Sequence, residues 1–486
     1  MTEDRGGETG ERFGQSIPGL SSQVSGLRSD GEQMAHAGKD TVSFLISAAW
    51  VLTQNEAREV FHPGAVAIRG EKIVAVGPAA KLAARFAAEQ VLDYPQGLVM
   101  PGLINAHTHA AMSLFRGLAD DLPLETWLNS YIFPAESKLD ENFVYWGSKL
   151  AIAEMLLSGT TTFADMYLFA GAVARAASET GIRAVVGEVL YDFPSPNYGP
   201  PAAGLAFSEA LCRTWRDHPR VRVAIQPHAV YTCSPNLLQQ CGELADKYDT
   251  RLIIHLAETH QEVADCQARY GATPVGHLHR LGLLTPRLLA DHAIVLSKAD
   301  MELLASAGAG VAHCPESNMK LASGIAPVVE LLKHGVPVGL GTDGCASNNN
   351  LDLVQEMDTA AKLQKVRYLD PTVLPALTTL DLATRGSARV LGLEGQVGAL
   401  SPGLKADLVV LDLDQPHLTP LYDPYSHLVY AAGGGDVQTV VVHGQVLVKD
   451  RQVLSFDLEE TMAKARELAR RATATITQPG EIVRVS

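Results

Sequence analysis

A pair of histidines separated by one residue, His107 and His109, follows an apolar run that reads LVMPGLIN. Residues two apart in a β-strand point to the same side, so both imidazoles can face one ion. Adjacent imidazoles are a common ligand arrangement for zinc. An isolated pair of this kind more often reflects polar packing or surface placement, so its interpretation depends on the other polar residues that end strand-like runs.

Four more polar residues follow the same pattern. His255 ends the run RLIIH, Glu258 comes three residues later, His292 lies in LADHAIV, and Asp343 ends PVGLGTD. In a barrel of parallel strands the carboxyl ends converge on one mouth, where such barrels carry out their chemistry. We therefore predict that four residues bind one divalent metal ion: His107, His109, His255 and Asp343.

Three imidazoles and one carboxylate suit Zn²⁺ and also Fe²⁺, with Zn²⁺ favoured. Such an ion lowers the pKa of a bound water toward ~7. Glu258 and Asp343 are the candidates to move the protons; the alternative for Glu258 is a first-turn acid of the helix HQEVADCQARYG. The fourth strand-like run, VRVAIQPH, has no lysine to bridge a second metal, which favours a mononuclear site. His228, which ends that run, is either a substrate contact or a core histidine.

Eight apolar runs position these residues, and stretches with helical spacing alternate with them. This pattern predicts an α/β fold, a (β/α)8 barrel of the TIM type. Short β-rich runs precede and follow the barrel and predict a small composite β-sandwich. The predicted organisation is a disordered tail at 1–40, the composite β-sandwich domain from 41–99 plus 395–455, the barrel at 100–394, and a C-terminal helix and tail at 456–486.

The charge balance excludes several classes of partner. The chain of 486 residues has 39 Lys and Arg against 54 Asp and Glu, a net charge of −15, with no basic stripe for nucleic acid. No apolar run approaches the ~18 residues of a membrane span, and the polar start MTEDRGG does not resemble a secretory signal. Six cysteines without a CxxC pair indicate reduced thiols. These features predict a cytoplasmic protein.

These residues and the motifs around them resemble the amidohydrolase superfamily, and within it the 5′-methylthioadenosine/S-adenosylhomocysteine deaminases and their triazine-hydrolase relatives. The resemblance covers roughly residues 42–455. It rests on the motifs PGLINAHTHAAMSLFRGLADDLPLETWL, PHAVYTCSP, IIHLAET, HCPESNMKLASGIAP, LGTDGCASNNNLDL and SPGLKADLVVLDL.

The resemblance implies hydrolytic deamination of adenosine derivatives, namely 5′-methylthioadenosine, S-adenosylhomocysteine, 5′-deoxyadenosine or adenosine, to the inosine analogue and ammonia. It implies the same four metal ligands, with Glu258 protonating the purine ring and His292 orienting the attacking hydroxide. Glu136, in YIFPAESKL, matches the glutamate that holds ribose hydroxyls, and His228 matches a substrate-binding histidine. Relatives with this architecture form dimers or tetramers, so a homo-oligomer is expected.

Several of these assignments have structural alternatives. Glu136 could instead be a helix-start carboxylate, and Trp127 could either wall the pocket or pack in the core. Ser317 and Asn318 could shape the pocket floor or form a polar turn.

One stretch departs from the family pattern. Relatives that hold the amino-acid tail of S-adenosylhomocysteine can place arginines just after the third strand, whereas this chain has no Arg or Lys between Arg183 and Arg213. Glu188 stands where an arginine can stand, so a substrate carboxylate would meet a like charge. We therefore expect adenosines with neutral 5′ groups to be the better substrates.

Three other functions remain open from the sequence. The first is an amino- or chlorohydrolase acting on another N-heterocycle such as a triazine or guanine, which Glu136 disfavours because a flat ring offers no diol. The second is a non-catalytic amidohydrolase-like scaffold, which the complete set of metal and acid/base residues disfavours. The third is a two-metal cyclic-amide hydrolase, which the missing lysine disfavours.

Overall fold

Eighteen strands form the framework of the computed structural model, which describes residues 39–473. The strands before the barrel are β1 Asp40–Leu52, β2 Val60–Phe61, β3 Gly64–Arg69, β4 Lys72–Pro78 and β5 Phe86–Pro101. The barrel strands are β6 Leu103–Thr108, β7 Thr160–Tyr167, β8 Arg183–Leu190, β9 Val221–Val223, β10 Gln226–Pro227, β11 Leu252–Leu256, β12 Leu288–His292, β13 Gly310–His313 and β14 Val338–Leu340. The strands after the barrel are β15 Leu408–Asp412, β16 Val437–Val442, β17 Gln445–Lys449 and β18 Gln452–Val453.

The eight predicted barrel runs all form parallel strands, which confirms the (β/α)8 barrel. The fourth run is interrupted and contributes both β9 and β10. Bridges from Ile225 to Leu252 and from Ala229 to His255 join the two halves of the barrel at this interruption. Asp343 N donates to His107 O at 3.0 Å and so links the last barrel strand to the first.

The strands before and after the barrel combine in one nine-stranded sheet, in the order β18-β17-β16-β15-β5-β1-β3-β4 with β2 beside β1. Alternate residues of β3 divide between two apolar clusters, because successive side chains of a strand point to opposite faces. Val66 and Ile68 lie in one cluster, and Ala65 and Ala67 lie in the other, which the helix Ala79–Arg85 covers. Both faces of the sheet are therefore covered at β3.

Helices connect and cover these strands. Those that precede the fourth barrel run are Ala79–Arg85, Leu124–Trp127, Phe133–Glu136, Glu141–Leu157, Ala170–Thr180 and Pro201–Trp215. Those that follow it are Pro235–Tyr248, His260–Tyr270, Pro274–Arg280, Lys298–Ala307, Pro315–Lys320, Val328–Lys333, Leu353–Tyr368, Ala376–Asp381, Ser387–Val390, Pro424–Tyr430 and Leu458–Thr473. Within residues 39–473, none of them combines the length and apolarity that a membrane span requires.

Two predicted segments fall partly outside the described residues. Positions 1–38 of the predicted disordered tail and positions 474–486 of the predicted C-terminal segment lie there. The remainder of the C-terminal segment includes the helix Leu458–Thr473, and β1 begins at Asp40. The domain boundaries given above stay predictions.

Candidate active site

The carboxyl ends of the barrel strands, together with two short helices between β6 and β7, bring the nine predicted site residues together. Eight of them line a single cavity, and the ninth, His107, is buried directly beside it, against Asp343. The eight are His109, Trp127, Glu136, His228, His255, Glu258, His292 and Asp343. Residues separated by up to 236 positions in the sequence therefore meet at one mouth of the barrel.

Three imidazole nitrogens face one point. His109 Nδ1 contacts Met166 O, and His255 Nδ1 lies 2.8 Å from His228 O. Because a carbonyl oxygen only accepts, both Nδ1 atoms carry hydrogen, so each ring, when neutral, presents its lone pair on Nε2. These two Nε2 atoms lie 3.4 Å apart. Two lone pairs at that distance repel each other unless a cation or a proton lies between them.

His107, buried beside the cavity, supplies the third imidazole nitrogen. Its Nδ1 lies 3.0 Å from Asp291 Oδ2, and its buried Nε2 has no hydrogen-bond partner. Burial opposes a positive charge here, but Asp291 and Asp343 outweigh it and raise the pKa of His107 to about 10. Without a metal ion, the two carboxylates thus recruit a proton to this ring. A divalent cation would supply the same positive charge, so the residues fit a metal.

Asp343 presents one carboxylate oxygen to the histidines. Its Oδ1 lies 3.1 Å from His109 Nε2 and 3.5 Å from His107 Nε2. Its Oδ2 accepts hydrogen bonds from Ser317 Oγ at 2.6 Å and from Ser347 Oγ at 2.7 Å. The two hydroxyls and the Gly344 N–H, which donates to Oδ1 at 2.8 Å, fix the carboxylate with Oδ1 toward the imidazoles.

His292 belongs to the same cluster. The potential ligand atoms of His107, His255 and His292 lie within 4.8 Å of one another, as do those of His107, His109 and Asp343. His292 Nδ1 lies 2.9 Å from Asn318 Oδ1, which orients the ring with Nε2 toward the cavity. His292 has a φ of 68°, which is uncommon for a residue other than glycine and typical of functional positions.

Glu258 lies on the cavity wall, and the following helix turn holds its backbone. Glu262 accepts hydrogen bonds from Ala257 N at 2.9 Å and from Glu258 N at 2.7 Å. Burial raises the pKa of Glu258, and the charge of Asp343 adds to that shift, while the charge of His292 opposes it. A carboxyl with a raised pKa holds its proton closer to neutral pH, as a general acid requires.

Three more of the predicted site residues, Glu136, Trp127 and His228, form another part of the cavity wall. Burial raises the pKa of Glu136 to about 7, and the buried Trp127 lies one helix earlier on the same cavity. Burial and the neighbouring charges of His109 and His107 lower the pKa of His228 to about 3, so this imidazole is neutral. Its Nδ1 lies 2.9 Å from Thr232 Oγ1.

The position of Glu188, in the third barrel strand β8, differs from the one expected from the sequence. Glu188 does not line the cavity; it is fully buried and accepts hydrogen bonds from Ala170 N at 2.8 Å and Phe169 N at 3.3 Å. The wall at this place is formed by Val189 and Tyr191, and the Tyr191 ring stacks on Phe193 at 3.8 Å between centroids. Of the described residues that line the cavity, none is Arg or Lys.

Sequence reasoning missed the residues that hold the site residues in place. Asp291 precedes His292, and Glu262 follows Thr259 by three positions, the spacing of a capping motif that could have indicated it. Ser317 and Asn318, expected on the pocket floor or in a polar turn, are buried residues of the short helix Pro315–Lys320 and bind Asp343 and His292.

Comparisons with known proteins agree with this geometry. A model of the amidohydrolase family matches residues 98–447, and a model of the imidazolonepropionase-like composite domain of bacteria matches residues 64–88. A 5-methylthioadenosine/S-adenosylhomocysteine deaminase from Syntrophobacter fumaroxidans is 57% identical over 433 residues, which cover 89% of this chain and 99% of the relative.

Solved structures show the same likeness. An adenosine deaminase from Xanthomonas campestris with bound zinc has a TM-score of 0.88 and 41% identity, over 90% of this chain and 100% of that chain. An atrazine chlorohydrolase from Arthrobacter aurescens complexed with zinc has a TM-score of 0.80 and 28% identity, over 88% and 100%.

Proposed function

The chain belongs to the amidohydrolase family, and from that membership we propose that it is a metal-dependent deaminase of adenosine derivatives that acts in purine salvage. The reaction replaces the 6-amino group of the purine by oxygen and releases ammonia. The observation that carries the proposal is the convergence of three imidazole Nε2 atoms and the Asp343 carboxylate beside Glu258 in one cavity. The deaminase names of the relatives point to the same reaction.

We propose that His107, His109, His255 and Asp343 hold one divalent cation. A bound cation would act as a Lewis acid that makes water acidic enough to supply hydroxide at neutral pH. Zn²⁺ is the first candidate because this ligand set suits it and because two similar proteins were solved with zinc, and Fe²⁺ is the second.

The protein residues then move the protons. Asp343 accepts one proton from the attacking water while His292 orients that water, and the remaining hydroxyl adds to C6 of the purine. Glu258, which retains its proton, donates it to N1. Asp343 passes its proton to the amino group, the C6–N bond breaks, and ammonia leaves. The C6 hydroxyl returns its proton to Glu258, so water and adenosine derivative give the inosine derivative and ammonia.

The cavity wall formed by Glu136, Trp127 and His228 would bind the rest of the substrate. We propose that Glu136 accepts hydrogen bonds from the ribose hydroxyls, that Trp127 covers the ring system, and that the neutral His228 contacts the substrate. Charge-assisted hydrogen bonds from a diol to a carboxylate are stronger than neutral ones. This wall supports a nucleoside over a flat heterocycle.

The 5′ group of the preferred substrate is proposed to be neutral. The cavity wall offers aromatic and aliphatic surface at Tyr191, Leu168 and Val189, and no cation among the described lining residues could pair with a carboxylate. We expect kcat/KM for 5′-methylthioadenosine and 5′-deoxyadenosine to exceed that for S-adenosylhomocysteine by at least tenfold, the effect of about one lost charged contact. Comparable values would contradict this preference.

A panel assay of ammonia release tests the whole proposal. The panel contains adenosine, the two neutral derivatives, S-adenosylhomocysteine, guanine and atrazine, each measured before chelation, after chelation and after return of Zn²⁺ or Fe²⁺. Turnover of adenosines that chelation removes and metal restores supports the proposal. Turnover confined to guanine or to a triazine would favour the second candidate, to which the likeness to the chlorohydrolase points. No turnover at all would favour a non-catalytic scaffold.

We also propose that the enzyme is a cytoplasmic homo-oligomer, a dimer or a tetramer. The acidic composition and the lack of a membrane-length apolar run support the location, and the family resemblance supports the assembly. Light scattering of the purified chain measures the assembly directly.

A further inference from the structure

A second cavity, of about 1000 Å³, lies at the end of the barrel opposite the candidate active site. Its wall includes Arg222 in β9, Arg251 immediately before β11 and Arg287 immediately before β12. These residues mark the amino ends of strands whose carboxyl ends carry the site histidines. Arg251 and His255, on one strand, are roughly 13 Å apart at the usual rise per residue. The two cavities are therefore separate.

The second cavity is strongly basic in a protein whose net charge is −15. Five cationic side chains and one carboxylate, that of Asp249, line it, although Lys247 pairs with Glu209, and Arg287 pairs with Asp246 and Asp249. The cations are Arg216, Arg222, Lys247, Arg251 and Arg287. We name this the basic cavity. A concentration of one sign of charge in a concave site attracts ligands of the opposite sign.

Two of these guanidinium groups bind only neutral oxygens of the described part of the protein. Arg222 donates to Gly392 O and to Gln396 Oε1, each at 3.0 Å, and Arg251 Nη2 donates to Arg389 O at 2.9 Å. No carboxylate within residues 39–473 lies at ion-pair distance from either group. Carbonyl oxygens orient the two side chains without neutralising them.

The cations also act on each other. Burial and the charges of Arg287 and Arg222 lower the pKa of Arg251, and Glu394 opposes this only in part. Burial, followed by the charge of Arg183, lowers the pKa of Arg222. A lowered pKa means that the positive charge is disfavoured where it stands. A bound anion would relieve that repulsion.

We propose that the basic cavity binds a small molecule with a chain of phosphate groups. The planar guanidinium fork matches phosphate oxygens, and several cations require several negative charges on one ligand. The volume admits a nucleoside triphosphate, and the rings of Trp215 and Tyr248 on the wall offer surface to a base. This site is independent of the proposed deaminase reaction.

Calorimetric titration of the metal-loaded protein tests the site with two probes, inorganic tripolyphosphate and UTP. UTP is used because its base is not the adenine that the proposed catalytic cavity takes. The variant Arg216→Gln removes one cation at an exposed position of the wall, and Arg222→Gln removes a second. The matched control is Arg269→Gln, which makes the same charge change at an exposed position outside the cavity.

We expect saturable binding of a single tripolyphosphate or UTP molecule, weakened about tenfold or more by Arg216→Gln or Arg222→Gln and unchanged by Arg269→Gln. UTP that binds more tightly than tripolyphosphate would identify a nucleotide site, and equal affinities would identify a site for the phosphate chain alone. A lack of saturable binding would overturn the proposal. So would an affinity that none of the three variants changes, because that result is expected if the phosphate chain only chelates the metal at the other end of the barrel. Arg216→Gln keeps the test valid if Arg222→Gln lowers stability.

Discussion

The candidate metal site depends on side chains that hold other side chains. Asp343 can direct one oxygen at the imidazoles because Ser317 and Ser347 bind the other, at 2.6 and 2.7 Å. Its backbone is in the left-handed region with a φ of 62°. Hydrogen bonds therefore hold both carboxylate oxygens, since Oδ1 also accepts from Gly344 N at 2.8 Å.

Asp343→Asn should lower kcat by ~10²–10⁴-fold, the usual contribution of a group that transfers a proton, while the fold is kept. The amide oxygen can still accept from the two serine hydroxyls, although the amide nitrogen then replaces the oxygen that accepts from Gly344 N, and the side chain cannot take a proton from water. Ammonia release from 5′-methylthioadenosine and the melting temperature are measured together. The control is Asp217→Asn, the same change at an exposed residue. An Asp343→Asn enzyme with full activity would remove this residue from the proposed reaction.

Asp291 is a positioning residue for His107, since its Oδ2 lies 3.0 Å from His107 Nδ1 on the side away from the metal site. A carboxylate in this place fixes the tautomer that leaves Nε2 free and makes the ring a better donor. We expect Asp291→Asn to weaken metal binding ~10–100-fold. Competition with a coloured chelator measures the affinity, again with Asp217→Asn as control. Unchanged metal affinity with normal activity would show that Asp291 only fills the barrel interior.

At the scale of elements, buried carboxyl groups accept hydrogen bonds from the backbone of the loops that follow the strands. Glu188, in β8, accepts hydrogen bonds from the backbone N–H groups of Phe169 and Ala170. These two residues begin the helix Ala170–Thr180, which precedes β8 in the sequence. Burial raises its pKa from its ordinary value near 4.5 to about 7, although those N–H groups oppose the shift. Between these two pH values the folded protein binds more protons at this group than the unfolded chain does.

The free energy of unfolding contributed by Glu188 therefore falls as pH rises from about 4.5 to about 7. Glutamine does not titrate. The free energy of unfolding of Glu188→Gln relative to that of the wild type should therefore rise between these pH values, by about 3 kcal/mol at most. Urea unfolding at pH 5 and pH 8 measures the difference between variant and wild type at each pH. With the exposed Glu243→Gln as control, that difference should stay constant. A Glu188→Gln difference that is the same at both pH values would contradict the assignment.

Elements were predictable from the sequence where a repeated pattern was strong. Eight apolar runs between helical stretches indicated the barrel, and the polar residues at their carboxyl ends indicated which side chains would meet. The split of the fourth run into β9 and β10 was not predictable, because a local run contains no information on which neighbour each of its residues will pair with. The roles of Asp291, Glu188 and Ser317 were missed for the same reason, since each depends on a partner distant in sequence.

At the scale of the whole molecule, the barrel and the nine-stranded sheet are joined by a buried ion pair. Arg183 begins β8, and its Nε and Nη2 donate to the two carboxylate oxygens of Asp407 at 2.8 and 3.1 Å. Asp407 immediately precedes β15 and also accepts a hydrogen bond from His443 N at 2.7 Å. Both side chains are almost completely inaccessible to solvent. One charge pair thus connects three distant segments.

Arg183→Met should destabilise the protein by about 3–5 kcal/mol, because it leaves the carboxylate of Asp407 buried without a cation. The double variant Arg183→Met with Asp407→Asn removes both charges and keeps an oxygen for His443 N, so it should recover much of that loss. Urea unfolding of the wild type, the two single variants and the double variant completes a thermodynamic cycle. The exposed pair Arg175 and Glu141 provides a matched control, for which the same cycle should give less than about 1 kcal/mol. If the double variant is no more stable than Arg183→Met, the cost comes from lost packing of the arginine and not from the unpaired charge.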